Sequence, residues 1–245
     1  MDDNKGAIIQ GRKAVLEALD AGRHLDKILI KDGDTEGSIR AVFAKAREMG
    51  IKIERVSKKQ LDTLAEAHQG VVALAPAVDY ATIADILANA KEKQQDPFII
   101  ILNNIKDPHN FGAIIRSAEG AGAHGIIIPA RRAVGITATV EKTSAGAINY
   151  IPIAKVANIA QTIDKLKKQN VWIIGADARG KHYFNVDFRV PLALCIGAEE
   201  EGLGQLITKK CDFIAKIPMY GRIPSHNASV AAALVMYEVV KQRMA

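Results

Sequence analysis

The segment DPHNFGAIIRSA, which begins at Asp107, has residues that could bind an anion at the start of a helix. Asp107 followed by Pro108 is a favourable pair for the N-cap and the first helical turn. Arg116 lies four residues after Gly112 on the same helix face, and helical side chains lean toward the helix N-terminus. Its guanidinium would therefore arrive near Asn110, where the helix start adds positive potential. The pattern favours a phosphate site, and a surface arginine beside a helix-packing glycine is the alternative.

A second candidate is the glycine-rich segment GAEEEGLG, from Gly197 to Gly204, at the end of a predicted strand. Its glycines allow a ligand or another backbone to approach closely. The three carboxylates from Glu199 to Glu201 cannot all be buried and ionised, so a solvated acidic turn is the alternative interpretation. The segment matches neither the Gly-x-Gly-x-x-Gly pattern nor the Walker pattern, so nothing here indicates a dinucleotide or ATP.

The third segment, IPMYGRIPSHNASVAAA, runs from Ile217 into the last predicted helix. Either Ser225 or Asn227 would cap this helix. The small residues that follow Asn227 would let the helix pack closely against a neighbour. A capped helix with an alanine-rich packing face is the alternative to a functional role, and the segment by itself favours that alternative.

Helix and strand patterns around these segments predict an α/β protein. Residues 1–76 alternate short helices and strands and are predicted to form one small domain, and residues 77–96, with the hydrophilic tract KEKQQD, a linker. Residues 97–245 are predicted to form a second domain on a mostly parallel sheet. Its strands are nearly continuous apolar runs at Phe98–Leu102, Gly125–Ile128, Val171–Ala176, Leu192–Gly197 and Phe213–Ile217. Helices are predicted at Ile114–Ala121, Val156–Lys168 and Ala228–Arg243.

The charge balance favours a polyanionic partner for the second domain. The formal net charge is +6 and the isoelectric point is about 9.2. Residues 1–80 hold 13 Lys/Arg and 13 Asp/Glu, whereas residues 81–245 hold 20 and 14, so the whole excess lies in the later part. A solvated surface that happens to be basic is an equal alternative.

Cysteine content and hydropathy exclude several classes of protein. Neither Cys195 nor Cys211 has metal-ligand spacing, so no metal site is predicted. A reduced, cytoplasmic setting fits two cysteines better than a disulfide framework does. No apolar stretch approaches membrane-spanning length, and the N-terminal residues lack the apolar core of a signal peptide, so no membrane partner is expected.

The order and spacing of the three segments carry more information than each segment alone. Together, DPHNFGAIIRSA, GAEEEGLG and IPMYGRIPSHNASVA resemble the motifs of the SpoU (TrmH-like) family of RNA ribose 2′-O-methyltransferases, and the resemblance covers roughly residues 95–245. The first 75 residues, with GRKAVLEAL and HQGVVAL, are similar to the L30e-like RNA-binding domain that precedes the catalytic domain. The full layout resembles the bacterial 23S rRNA guanosine-2′-O-methyltransferase branch more than the tRNA branch.

The resemblance implies an α/β fold of the SPOUT class, in which the C-terminal chain threads a loop as a deep trefoil knot. S-adenosylmethionine would bind in a bent form within the knot, held largely by backbone groups. By motif match, those groups belong to Gly197, Ile217, Met219 and His226. His226 and Ala228 depart from the residues that are frequent in the family, Leu and Val, so they put the shape of the adenine pocket in doubt. We expect His226 to be structural rather than catalytic.

The resemblance also implies a homodimer whose active sites are built from both chains. By motif match, the polar active-site residues are Asn110, Arg116, Glu199, Asn227 and Ser229. Arg116 would reach toward the partner's cofactor. Because arginine stays protonated, our hypothesis is that Arg116 clamps the phosphate beside the reacting ribose and stabilises the forming alkoxide, while Glu199 orients the guanidinium.

Three alternatives remain open from the sequence. The RNA substrate is 23S rRNA in the preferred interpretation and tRNA in the alternative, and the neutral first domain favours recognition of RNA shape. A catalytically silent RNA-binding protein of the same fold is a second possibility, against which the intact Arg116, Glu199 and Asn227 speak. An unrelated α/β enzyme that uses a nucleotide is the third, and the missing nucleotide motifs argue against it.

Overall fold

The computed structural model describes residues 8–23, 25–35, 37–75, 80–131, 133–198 and 202–244. Its strands and helices in chain order are β1 (Ile8–Gln10), α1 (Arg12–Asp20), β2 (Lys27–Lys31), α2 (Ser38–Glu48), β3 (Ile53–Val56), α3 (Lys58–Leu64), β4 (Val71–Leu74), α4 (Ile83–Glu92), β5 (Phe98–Asn103), α5 (Pro108–Gly120), β6 (Gly125–Pro129), α6 (Ala138–Thr143), β7 (Ile153–Val156), α7 (Ile159–Lys167), β8 (Trp172–His182), β9 (Leu192–Gly197), α8 (Gln205–Lys210), β10 (Phe213–Lys216) and α9 (Ala228–Met244). They divide into two compact units. The first covers the chain up to residue 79 together with Gly135–Tyr150, and the second covers Tyr80–Val134 and the chain from Ile151 onward.

The first unit is built on a four-stranded sheet in the order β1–β4–β2–β3. Strand β4 runs antiparallel to β1 and β2, whereas β2 and β3 are parallel, which leaves β3 at an edge. Helices α1 and α2 bury Val15 and Val42 against one face of the sheet. Helix α3 buries Leu61 in a smaller cluster with Leu29 and Val72. The predicted alternation of short helices and strands is confirmed for this part of the chain.

Gly135–Tyr150 packs within the first unit, although the sequence prediction placed it in the second domain. The hydroxyl of Tyr150 donates a hydrogen bond to Oε2 of Glu17 at 2.6 Å. A Cβ at Gly146 would lie 2.7 Å from Cγ of Glu17, so this glycine allows a close approach to α1. No local pattern in the sequence shows which sheet the segment packs against.

The second unit has a six-stranded, wholly parallel sheet in the order β10–β8–β9–β5–β6–β7. Ile99, Ile101, Ala193 and Cys195 are fully buried in its two central strands, β5 and β9. Burial on both faces explains why these strands are continuous apolar runs rather than alternating ones. The predicted α/β fold class is confirmed, and the trefoil knot stays a prediction. No helix of the described residues is long and apolar enough to cross a membrane.

The predicted linker is, from residue 80 onward, a structured part of the second unit. Thr82 and Asp85 form a capping box at the start of α4, in which each side chain accepts a backbone hydrogen bond. Ile86 is fully buried, and a Cβ at Gly125 would lie 2.5 Å from its Cγ1. The hydrophilic tract KEKQQD therefore ends a packed helix instead of separating two domains. Residues 77–79 lie outside the described residues.

Two element predictions for the second unit differ from the structure. The helix predicted for Val156–Lys168 is present as α7, but it begins at Ile159, because Val156 ends the edge strand β7 and Asn158 caps the helix. The strand predicted for Val171–Ala176 continues to His182. By contrast, the predicted start of α5 is confirmed, with Pro108 as its first helical residue.

Candidate active site

A cleft of about 520 Å³ lies at the carboxyl end of the parallel sheet, where β9 and β10 finish. Ile196 and Gly197 of β9 and Ala215 of β10 line it from the sheet, and Ala228 and Ala231 line it from α9. In open parallel α/β sheets, ligands bind beyond the carboxyl ends of the strands. The volume is within the range of small-molecule sites, so this cleft is the candidate for cofactor binding.

Gly197 stands where two backbone segments touch at the edge of the cleft. A Cβ at this position would lie 2.1 Å from the carbonyl carbon of Gly202, so no larger residue fits. The N–H of Gly202 donates to the carbonyl of Ala198 at 2.8 Å, and Gly202 has φ 58°, which favours glycine. Gly197 and Gly202 therefore allow their two backbones to meet at the edge of the cleft. Glu199, the carboxylate predicted for the site, lies outside the described residues.

One wall of the cleft is a bulge in β8. Ile214 pairs with Gly175, but the next residue of β10, Ala215, pairs with Lys181, so residues 176–180 have no partner on β10. Gly180 makes the return possible, because a Cβ there would lie 2.2 Å from the carbonyl oxygen of Ile214. Bulges are frequent beside active sites, since they re-aim side chains. This bulge brings residues 177–179 to the cleft.

Asp177 and Arg179 are charged cleft residues that the sequence prediction missed. Nε and Nη2 of Arg179 donate hydrogen bonds to the two carboxylate oxygens of Asp177 at 2.7 and 2.9 Å. The Asp177 side chain is 10% exposed, and the hydrogen bonds from Arg179 lower the pKa of its carboxyl below the ordinary value. The carboxylate therefore stays charged at neutral pH. Their place directly after the predicted strand Val171–Ala176 is the signal that could have found them.

Ile217, Met219 and His226 lie in the loop between β10 and α9, and each of them is partly buried and lines the cleft. With Gly197 they are all the residues that the resemblance assigned to the cofactor. The structure thus brings these four together from two separate segments of the chain. Their contacts with a cofactor stay a prediction.

Asn227 is the residue that caps α9, which decides between the two predicted candidates. Its Oδ1 accepts hydrogen bonds from the backbone N–H of Ser229 at 3.0 Å and from the Ser229 hydroxyl at 2.6 Å. Its backbone carbonyl accepts from the N–H of Ala231 at 2.9 Å. Asn227 and Ser229, the two polar residues predicted for this segment, are therefore hydrogen-bonded to each other. Ala228, which lies between them in sequence, lines the cleft.

Asn110 and Arg116 lie on α5, which packs against α9. The carboxylate of Asp107 caps α5 by accepting from the N–H groups of His109 at 3.2 Å and Asn110 at 3.0 Å. Asn110 is partly buried and Arg116 is exposed. Neither residue lines the cleft of its own chain, so the structure does not place them with the four predicted cofactor residues.

These features define a class of protein. The parallel α/β sheet has a glycine-lined cleft at its carboxyl end, with a charged carboxylate inside and a capped helix at the rim. This arrangement indicates a domain that binds a small organic molecule.

The chain belongs to the SpoU rRNA methylase family. The model of that family matches residues 97–237, and the model of RNA 2′-O ribose methyltransferase substrate binding matches residues 8–81. YacO of Bacillus subtilis (strain 168), assigned to the TrmH family of tRNA/rRNA methyltransferases, is 46% identical over 235 residues, which are 95% of this chain and 94% of that relative. The predicted family is confirmed.

Solved structures with AdoMet (S-adenosylmethionine) resemble this chain over nearly its whole length. The SpoU methyltransferase AviRb from Streptomyces viridochromogenes, in complex with the cofactor AdoMet, has a TM-score of 0.83 and 25% identity, covering 97% of this chain and 90% of AviRb. The AdoMet-bound rRNA methyltransferase from Sinorhizobium meliloti has a TM-score of 0.83 and 26% identity, covering 97% and 87%. Both likenesses support the predicted cofactor.

Proposed function

We propose that this protein transfers a methyl group from S-adenosylmethionine to the 2′-hydroxyl of a guanosine ribose in 23S rRNA. The observation that carries the proposal is the convergence of Gly197, Ile217, Met219 and His226 on one cleft at the carboxyl end of the parallel sheet. The family assignment makes the chain an RNA methyltransferase, and the position of the cleft agrees with the general rule for ligand sites in such sheets.

The residues of the cleft fit a molecule with an adenosine part and an amino-acid part. Ile196, Ala215 and Ile217 offer an apolar surface for a flat base. The missing side chain at Gly197 lets the backbone of Gly202 approach, and both glycines line the cleft, where their backbone groups can contact a ligand. The Asp177 carboxylate is an acceptor for ribose hydroxyls or for an ammonium group.

The chain's own residues have to position the ribose hydroxyl and stabilise the negative charge that develops on its oxygen. When bound, S-adenosylmethionine supplies a methyl group on a sulfonium centre that is open to in-line attack. We assign the stabilisation to Arg116, which stays protonated and can hold the neighbouring phosphate with two parallel hydrogen bonds. In this proposal Glu199 orients the guanidinium, and Asn227 and Ser229 supply further polar contacts.

We further propose that the protein works as a homodimer in which Arg116 of one chain completes the site of the other. Arg116 is exposed and lies outside the cleft of its own chain. Helix α9, which packs on the helix of Arg116, exposes Val230, Leu234 and Tyr237. Their spacing of four and three residues puts them on one helix face, and an exposed apolar stripe of this kind marks an interface.

Ribosomal RNA is supported as the substrate by the likeness to the rRNA methyltransferase of Sinorhizobium meliloti, which covers 97% of this chain. Guanosine as the modified nucleoside follows from the resemblance of the motifs and of the two-domain layout. An enzyme with this substrate would work in the cytoplasm, where bacterial ribosomes assemble. The tRNA alternative is an outcome of the test.

The test uses purified protein, labelled S-adenosylmethionine and two unmodified transcripts: a 23S rRNA fragment from the peptidyl-transferase region and bulk tRNA. The nucleosides are then separated and identified by mass. Label in 2′-O-methylguanosine from the rRNA alone is the expected result. Label in tRNA alone would overturn the rRNA assignment. Cofactor binding by calorimetry, with no transfer to either RNA or to ribosomal precursors, would favour the catalytically silent alternative.

A mixing experiment tests the shared active site. Arg116→Ala and Asn227→Ala are each expected to be inactive as pure proteins. A mixed dimer has one intact site, made of Asn227 from one chain and Arg116 from the other, so an equimolar, fully exchanged mixture should recover about a quarter of wild-type activity. A mixture that remains inactive, although heterodimers are detected by native mass spectrometry, would contradict the shared site.

A further inference from the structure

We infer that a groove between α2 and the edge strand β3 of the first unit binds a single-stranded segment of RNA, with phosphates on its arginines and a base against Phe43. The groove has a volume of about 670 Å³. The inference rests on the proposed function, because the RNA in question is the substrate of that reaction.

Helix α2 contributes a mixed basic and aromatic face to the groove. The helix lines the groove with Arg40 and with the residues three, four and seven positions later, which are Phe43, Ala44 and Arg47. Residues at this spacing lie on one side of a helix. Both arginines are exposed, whereas Phe43 is partly buried against the core of the unit. Nε of Arg40 donates to the carbonyl of Thr35 at 3.3 Å, which steadies its guanidinium beside the groove.

Strand β3 contributes the opposite wall. Ile53 and Arg55 share one face of the strand, because successive side chains alternate. The guanidinium carbon of Arg55 lies 5.2 Å from the centre of the Phe43 ring. Glu54 points away from this face and lies 3.1 Å from Nζ of Lys27, so the carboxylate next to Arg55 in sequence does not neutralise it.

Unpaired positive charge is concentrated in the groove. Within the described part of the chain, the ion pairs of the first unit involve Arg12, Arg23, Lys27, Lys45 and His68, and none involves Arg40, Arg47 or Arg55. Residues 1–80 are neutral in total, so three guanidiniums without an ion pair among the described residues are a local excess of positive charge in the groove. Guanidinium groups bind phosphates in pairs of hydrogen bonds.

The aromatic ring makes RNA the occupant rather than an acidic peptide. Single-stranded RNA is recognised by stacking of splayed bases on aromatic rings and guanidinium planes, together with phosphate contacts. Phe43 and Arg55 supply those two surfaces next to each other, with Ile51 and Ile53 as the apolar floor. The groove also lies within residues 8–81, which match the substrate-binding model of RNA ribose methyltransferases.

The main test compares two double variants that each remove two exposed positive charges from the first unit. Arg47→Gln with Arg55→Gln alters the groove, and Lys58→Gln with Lys59→Gln on α3 is the matched control. Affinity for the labelled 23S rRNA fragment is measured by fluorescence anisotropy across a range of salt concentrations. Turnover is measured in parallel as separate kcat and KM values, and cofactor affinity is measured by calorimetry.

We expect the groove variant to bind the RNA about tenfold more weakly or worse at about 0.15 M salt, and the slope of log affinity against log salt to become shallower by about 1.4. KM should rise by a similar factor while kcat and cofactor affinity stay near wild type, because the lost contacts are made equally in the ground and transition states. A second variant, Phe43→Leu, keeps an apolar side chain for the core. It should weaken binding roughly fivefold or more through loss of stacking.

Other outcomes separate this inference from the proposed function. Wild-type affinity and salt slope in the groove variant would overturn the inference, while methylation by the wild-type protein would leave the proposed function intact. If the wild-type protein methylates neither RNA but the groove variant still loses RNA affinity, the proposed function is wrong and the inferred RNA binding in the groove is supported. Binding of an acidic peptide through the groove, with RNA affinity unchanged in the variant, would overturn the choice of occupant.

Discussion

Arg23 and Glu141 form a buried ion pair within the first unit, with 3.0 Å between Nη1 of Arg23 and Oε1 of Glu141. The Glu141 side chain is 3% exposed, and neither of its oxygens has a well-oriented hydrogen bond among the described residues. Burial raises the pKa of Glu141 to about 7, although the positive charge of Arg23 opposes the shift. The pair connects the segment Gly135–Tyr150 with the turn after α1.

The raised pKa of Glu141 predicts that the free energy of unfolding falls as the pH rises toward neutrality. Between its ordinary pKa of 4.5 and about 7, Glu141 holds a proton in the folded chain that the unfolded chain has released. The free energy of unfolding contributed by this group is therefore complete below the lower value and declines through the window, by on the order of 3 kcal/mol in total. Urea unfolding of the wild type and of Glu141→Gln from about pH 5 to about pH 8 measures it. A difference between the two proteins that does not change with pH would contradict the prediction.

Replacement of Gly197 by Ala should destroy cofactor binding. The new Cβ would lie 2.1 Å from the backbone of Gly202, so the turn at the end of β9 has to move. We expect no measurable S-adenosylmethionine binding by calorimetry and a lower melting temperature. Gly221→Ala is the matched control, because Gly221 lies in the neighbouring loop and a Cβ there meets nothing within 4 Å. Wild-type affinity in Gly197→Ala would show that the cofactor binds elsewhere.

Removal of the charge on Asp177 should weaken cofactor binding while the protein stays folded. A hydrogen bond to a charged group contributes about 1.5–3 kcal/mol, so Asp177→Asn should raise the Kd for S-adenosylmethionine roughly tenfold or more. The chain supplies its own control in Asp187→Asn. Asp187 accepts from Nε of Arg189 at 2.9 Å in the same i, i+2 arrangement, but it does not line the cleft. Equal affinities of the two variants would remove Asp177 from the cofactor site.

Arg116→Lys tests whether the arginine clamps the phosphate through two parallel hydrogen bonds. Lysine keeps the charge but loses the planar fork of donors. We expect kcat to fall about 100-fold or more, since the lost contact acts on charge that develops in the transition state. Cofactor affinity should stay near wild type, because in the proposal Arg116 of the partner chain contacts the RNA phosphate and the reacting oxygen, whereas Gly197, Ile217, Met219 and His226 hold the cofactor. Arg189→Lys, at another exposed arginine, is the control, and near-normal turnover of Arg116→Lys would contradict the clamp.

Two substitutions of Asn227 separate its structural role from its catalytic role. Aspartate caps a helix as well as asparagine does, whereas alanine costs about 1 kcal/mol. Asn227→Asp should therefore unfold at the same urea concentration as the wild type, and Asn227→Ala should unfold earlier. Both variants should lose methyl transfer if the Asn227 amide contacts the substrate. Full activity in Asn227→Asp would mean that Asn227 serves only as the cap seen in its bonds to Ser229.

The sequence by itself determined the local structure and the chemical class of the second unit. Continuous apolar runs such as Phe98–Leu102 predicted strands buried on both faces, because a strand inside a parallel sheet has no solvated side. Asp107 and Pro108 predicted the start of α5 through the requirements of the first helical turn. The three motifs, read in order, identified the family. The strand and helix signals lie within a few neighbouring residues, where the rules of local structure apply, and the family signal adds the order of the three motifs along the chain.

Only the tertiary structure decided which distant residues meet. The β8 bulge that places Asp177 at the cleft depends on how β10 pairs with β8. The local sequence of neither strand predicts that pairing. Glu141 is buried in the first unit, although the chain segments on both sides of Gly135–Tyr150 belong to the second. Arg40 and Arg55 line one groove only because α2 lies beside the edge strand β3. A local pattern shows whether a residue is buried and with what period, but its partner is set by long-range packing, which is a property of the whole chain.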